Sequence, residues 1–142
     1  MFIGEFKHTT DAKGRVSIPS IFREDLGESF YITKGLDKSL FVFTQSEWDR
    51  FQEKLQNVPL TNKTGRAFTR FFYAGATKCS LDKSGRILIP QNLRDFAEIG
   101  KEILVIGAGS RVEIWSEEIW NQYNEDELSY DELADNMEEL GI

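Results

Sequence analysis

A chain of 142 residues, 40% hydrophobic and 29% charged, fits one globular domain, and no apolar run approaches the ~20 residues of a membrane helix. Cys79 is the sole cysteine, which excludes an internal disulfide, and the opening residues lack the basic, apolar and cleavage segments of a secretory leader, so a soluble cytoplasmic protein is expected. The net charge of −7 hides an asymmetry: residues 116–142 hold ten of the 24 acids and no Lys or Arg, leaving 17 basic against 14 acidic residues on a body of +3 that nucleic acid could still approach.

Phe2–Thr9 is rich in aromatic and β-branched residues and predicts a strand. Asp11-Ala12-Lys13-Gly14 and the alternating stretch Arg15–Ile18 follow it. Together they predict a hairpin with Gly14 at positive φ and a bulge after it, Asp11 accepting backbone N–H groups of the turn. Pro19 suits the first turn of a short helix over Pro19–Asp25, ended by Gly27. Phe30–Thr33 and Leu40–Phe43 predict a second hairpin. Thr44-Gln45-Ser46-Glu47 resembles a capping box, and Trp48, Phe51 and Leu55 then fall at helical spacing. Beyond Pro59, a helix over Asn62–Tyr73 is expected to turn Phe68, Phe71 and Phe72 into the core. Arg66 and Arg70 share a face of that helix, as a solvated face, a subunit contact or a phosphate contact.

The second half repeats the first. Asp11, Gly14, Arg15, Ile18, Pro19 and Arg23 recur at a constant offset of 71 as Asp82, Gly85, Arg86, Ile89, Pro90 and Arg94. After one inserted residue Gly35, Phe43 and Trp48 match Gly107, Trp115 and Trp120. Strands are thus predicted over Thr77–Leu81, Arg86–Ile89, Ile103–Ile106 and Val112–Trp115. A short helix is predicted over Pro90–Phe96, with Gly100 as the counterpart of Gly27, and another over Ser116–Tyr123. Each half reads β-β-α-β-β with a trailing helix. A capped acidic helix, Ser129–Leu140, closes the chain with Leu133, Met137 and Leu140 on one stripe, which suits docking on its own body or on a neighbouring subunit. The expected units are residues 1–56, a linker helix over 57–75, residues 76–123, and an acidic tail over 124–142.

Arg15 and Arg86 each follow a turn glycine, and each turn carries a lysine, Lys13 or Lys83. Lys7 and His8 lie on the strand leading into the first turn, and Lys78 on the strand leading into the second. If the repeats pack about a pseudo-two-fold, these residues form a symmetric basic surface. Arginine suits bidentate contact with phosphate or guanine, and a β-ribbon can enter the major groove. The other reading makes Asp11 and Asp82 turn formers and the arginines their solvated partners. The tryptophans occupy repeat-equivalent positions, which favours core packing over base stacking. His8 and Cys79 are also equivalent, but two ligands do not make a zinc site. No G-x-S-x-G or Walker-type loop supplies catalytic parts, so neither an enzyme, a metal nor a cofactor is expected.

The paired segments "GEFKHTTDAKGRVSIP" and "LDKSGRILIP", with "RAFTRFFYAGA" at Arg66–Ala76, resemble the MraZ family of bacterial regulators built from two SpoVT/AbrB-type repeats. The resemblance covers essentially the whole chain. It implies an α+β, mainly β fold in which swapped hairpins of the two repeats form one β-barrel core. It also implies a ring-shaped homo-oligomer that binds double-stranded DNA at short repeats. In that reading the protein is a nucleoid-associated repressor of the division and cell-wall gene cluster, its own promoter included, with no membrane or small-molecule partner. DNA recognition transfers to the D-x-x-x-R segments Asp11–Arg15 and Asp82–Arg86. Two alternatives stay open: an AbrB-like antitoxin acting through the acidic tail, and a ring scaffold that binds no DNA.

Overall fold

The computed structural model describes residues 1–126 and 129–142. Eight strands and six helices follow in chain order among them: β1 (Phe2–Thr9), β2 (Arg15–Ser17), α1 (Ser20–Leu26), β3 (Phe30–Lys34), β4 (Leu40–Thr44), α2 (Gln45–Gln56), α3 (Lys63–Gly75), β5 (Thr77–Cys79), β6 (Arg86–Leu88), α4 (Gln91–Phe96), β7 (Glu102–Gly109), β8 (Val112–Ser116), α5 (Glu117–Asp126) and α6 (Tyr130–Glu139). No helix among the described residues is long and apolar enough to cross a membrane.

Pairing is exchanged between the repeats. The large antiparallel sheet runs β1-β7-β8-β4-β3-β5, and β2 pairs with β6 in a separate two-stranded ribbon. The first strand of each repeat therefore lies against the third strand of the other, and like strands meet in the middle. Register follows the repeat closely: Val16 faces Ile87, its counterpart at offset 71, and Phe41 faces Glu113, its counterpart at offset 72. A pseudo-two-fold axis passing through both contacts accounts for this order.

Exchange also revises the local reading of the first hairpin. Asp11 to Arg15 form the expected turn, but beyond the Asp11 N–H bond to the Arg15 carbonyl and the bridge Thr10–Val16 its two arms form no ladder among the described residues. β2 finds its full ladder on β6, because Val16, Ile18, Ile87 and Ile89 must all be buried and a cross-repeat ribbon buries them together. The barrel is not closed by hydrogen bonds, since β1 and β5 are edges of the six-stranded sheet and the ribbon packs over it. The core is continuous across the repeats, with Phe22, Leu26, Phe30, Ile32 and Leu93 joining those four residues. A second cluster gathers Phe41, Phe43 and Trp48, with Tyr31 stacked on Trp48 at 4.9 Å.

Helix boundaries follow local chemistry. Thr44 accepts from the Glu47 N–H as the capping box requires, Asn62 does the same for Gly65, and Ser129 for Glu132. Pro19 and Pro90 precede α1 and α4, their carbonyls accepting from Phe22 and Leu93. Gly27 ends α1 as expected, but Gly100 has no such role. α4 stops earlier, with Glu98 at φ 52°, its N–H bonded to the Asp95 carbonyl and that of Ile99 to the Arg94 carbonyl. Phe72 is buried as expected, whereas Phe68 is 49% exposed. Trp48 and Trp115 are core residues, and Trp120 packs edge-on against Trp115 at 5.0 Å. α6 is exposed along its whole length, so it does not dock on its own body. The tail residue Glu127 lies outside the described residues.

Candidate nucleic-acid interface

The site is two copies of one turn. In the first, Asp11 Oδ1 accepts from the N–H groups of Lys13 and Arg15, both at 2.9 Å. In the second, Asp82 Oδ1 accepts from Ser84 at 2.8 Å and Arg86 at 2.9 Å. The other carboxylate oxygen holds the arginine two residues past the lysine or serine donor: Arg15 Nε donates to Asp11 Oδ2 at 2.6 Å, and Arg86 Nε to Asp82 Oδ2 at 3.1 Å. A D-x-x-x-R spacing is what lets one side chain close the turn with one oxygen and aim a guanidinium with the other. The backbone N–H of Arg15 is the largest influence holding the Asp11 carboxyl down at about 2, and that of Arg86 likewise lowers Asp82.

Because Nε is the engaged atom, the Nη groups stand at the far end of the fork. The Arg15 side chain makes no other hydrogen bond among the described residues. An Nη of Arg86 lies 3.6 Å from Asp11 Oδ2, so the two turns are neighbours in space. Arg15 and Arg86 side chains are 33% and 31% exposed, while Lys13 and Lys83 are exposed residues on the same turns.

Each turn rests on the opposite repeat. Gly14 has φ 84° and Gly85 φ 76°. A side chain at Gly14 would meet the guanidinium of Arg94, and one at Gly85 that of Arg23, so glycine is required for space as well as for backbone conformation. The carbonyls of Gly14 and Gly85 accept from Ile89 and Ile18, each at 3.0 Å. Arg23 Nε donates to the Ile18 carbonyl at 2.9 Å, whereas Arg94 Nε is buried without a hydrogen-bond partner. Four arginines and two lysines thus gather about two aspartates.

The predicted residues divide accordingly. Asp11, Lys13, Gly14 and Arg15 come together with Asp82, Lys83, Gly85 and Arg86. His8 is half-buried, and burial first and the Arg23 charge second lower its pKa. Lys7, on the other side of the β1 pleat, points away to Glu117 at 3.2 Å. Arg23 and Arg94 were legible as repeated residues but not as parts of the site. Their only signal was recurrence at the same offset, since their contacts lie across the repeat boundary. Among the described residues no group of His, Cys, Asp and Glu is arranged to hold a metal.

A family model described as "MraZ protein, putative antitoxin-like" matches the chain twice, over residues 1–71 and 72–140. A protein of Alkaliphilus metalliredigens named transcriptional regulator MraZ is 58% identical over the full length of both chains. Proteins of the same name from Alkaliphilus oremlandii and Clostridium tetani are 57% and 54% identical, again with full coverage of both chains.

Proposed function

The chain belongs to the MraZ family of transcriptional regulators, and we propose that it acts by binding double-stranded DNA through its paired D-x-x-x-R turns. The observation that carries this reading is the convergence of Asp-oriented Arg15 and Arg86, with an Asp11–Arg86 separation of 3.6 Å. A guanidinium anchored through Nε keeps two parallel N–H groups for a guanine edge or a phosphate. The pseudo-two-fold presents the two forks symmetrically, and Lys13 and Lys83 add charge for the DNA backbone.

In the full reading the protein assembles as a ring-shaped homo-oligomer, in which several weak two-turn contacts add through avidity on closely spaced short repeats. It works in the cytoplasm at the nucleoid as a repressor of the division and cell-wall gene cluster, its own promoter included. The antitoxin reading draws on the exposed acidic α6.

The test is binding of wild type, Arg15→Ala and Arg86→Ala to DNA from upstream of the protein's own gene and to random duplexes, across a salt series. An arginine that reads a base costs ~1–3 kcal/mol on the specific site, whereas one that touches phosphate weakens all duplexes and lowers the salt slope by about one. Unchanged affinity in both variants, with assembly intact, would leave a scaffold that binds no DNA.

A further inference from the structure

We propose that α6 is an intersubunit arm whose apolar stripe seats in the groove between α2 and α3 of a second copy of this chain, where Arg66 and Arg70 receive its carboxylates. The proposal uses no residue of the two turns and stands apart from the DNA reading.

α6 is built to be a helix. Ser129 caps its start. At its end the Gly141 N–H bonds to the Glu138 carbonyl and the Ile142 N–H to the Met137 carbonyl, the paired closure of a Schellman motif. Yet it has ten residues, all exposed, and helices shorter than ~12–15 residues are marginal in water without tertiary contacts. Its charges sharpen the difficulty. Asp131 and Glu132 favour the N-terminal end of the dipole, but Glu138 and Glu139 crowd the C-terminal end with no basic residue in the last turn. A cationic partner surface would relieve that conflict.

The groove offers such a surface. It encloses about 340 Å³ and is lined by Leu55, Val58, Pro59 and Tyr73 together with Arg66 and Arg70. Arg66 donates to the Leu60 carbonyl at 3.0 Å. Neither arginine has a carboxylate partner among the described residues. Leu133, Met137 and Leu140 span seven residues, about 10 Å of helix, and the α3 wall from Arg66 to Tyr73 spans the same length. With the stripe in the groove, Glu132 and Glu139 flank it on one side, while Asp131 and Glu138 lie on the far face of the helix. Apolar length and opposite charge therefore match between two surfaces of one sequence. Such a contact is head-to-tail, and it closes into a ring when its rotation allows.

The experiment uses full-length chains in a Cys79→Ala background. One copy carries Leu60→Cys and a co-expressed, differently tagged copy carries Met137→Cys. Both positions are exposed, at 81% and 47%, so neither substitution disturbs the core. Oxidation is expected to link the two tags in one disulfide-bonded species. Arg66→Glu with Arg70→Glu should shift assembly to at least tenfold higher concentration in sedimentation, and Glu132→Lys with Glu139→Lys should restore it. Circular dichroism checks that each variant keeps its fold. In a second experiment both substitutions are placed on one chain; a disulfide confined within single chains would mean that α6 folds back on its own groove, and would overturn the proposal. So would the absence of any link together with unchanged assembly in Leu133→Asp/Met137→Asp, the outcome expected if the tail serves an unrelated basic partner.

Discussion

The two turns share a backbone and differ in how firmly each is held. Asp11 carries its own arginine at 2.6 Å and stands 3.6 Å from Arg86, whereas Asp82 carries its own at 3.1 Å. Beneath them the order reverses: Arg23, under the second turn, is tied to the Ile18 carbonyl, while Arg94, under the first, has its buried Nε unpaired. Duplication has preserved the shape and let the supports drift. Equivalent positions should therefore behave alike where the core is concerned and unlike where side chains brace the turns.

The largest effect tests the likeness. Ile18 and Ile89 are both fully buried, and Ile18→Ala or Ile89→Ala should each cost about 2–5 kcal/mol in urea unfolding, with equal values within error. A difference of several kcal/mol between them would show that the repeats do not share one core.

Smaller changes at the glycines test the unlikeness. Alanine at either turn meets strained φ and a guanidinium, for a cost on the order of 1 kcal/mol or more. Arg94 can retreat from Gly14→Ala without losing a bond at Nε, but Arg23 must give up the Ile18 carbonyl to clear Gly85→Ala. The second variant should melt at the lower temperature. The reverse order would show that the arginine supports are not what limits the turn.

Acid provides the mildest probe. Both carboxyls titrate lower in the folded chain than in the unfolded one, so their stabilisation is complete above about pH 4 and drains away as pH falls, for Asp11 towards about 2. Asp11→Asn should flatten the acid limb of a stability profile over that window, and Asp82→Asn should do so less. Equal flattening would mean that the shorter Arg15–Asp11 contact, 2.6 Å against 3.1 Å for Arg86–Asp82, carries no weight.

What the sequence disclosed, and what it withheld, follows the range of the interactions. Phe2–Thr9 has the bounds its composition predicts, and the caps at Thr44 and Ser129 are in place, because strand propensity and N-capping are decided within a few residues. The Asp-to-backbone bonds of both turns were legible for the same reason. Nothing local told Arg15–Ser17 to leave its own hairpin for β6, or told Arg23 to lie under Gly85. Gly100 was misjudged because glycine is the usual helix terminator, whereas Glu98 takes the left-handed position here. Lys7 reads as basic in any listing of charges, and only the tertiary position of Glu117 removes it from the patch.

The cross-repeat hydrogen bonds bear on how the chain is born. As it leaves the ribosome, Gly14 emerges early, but the N–H its carbonyl needs belongs to Ile89, and the guanidinium that fills its missing side chain belongs to Arg94. Contacts of such sequence separation form slowly, because a long loop must close before any of them is rewarded. A nascent or truncated first half thus holds the full D-x-x-x-R segment while lacking the floor on which it is shaped. The basic patch comes into being only when synthesis has passed the second turn, so half-made copies carry the motif without its geometry.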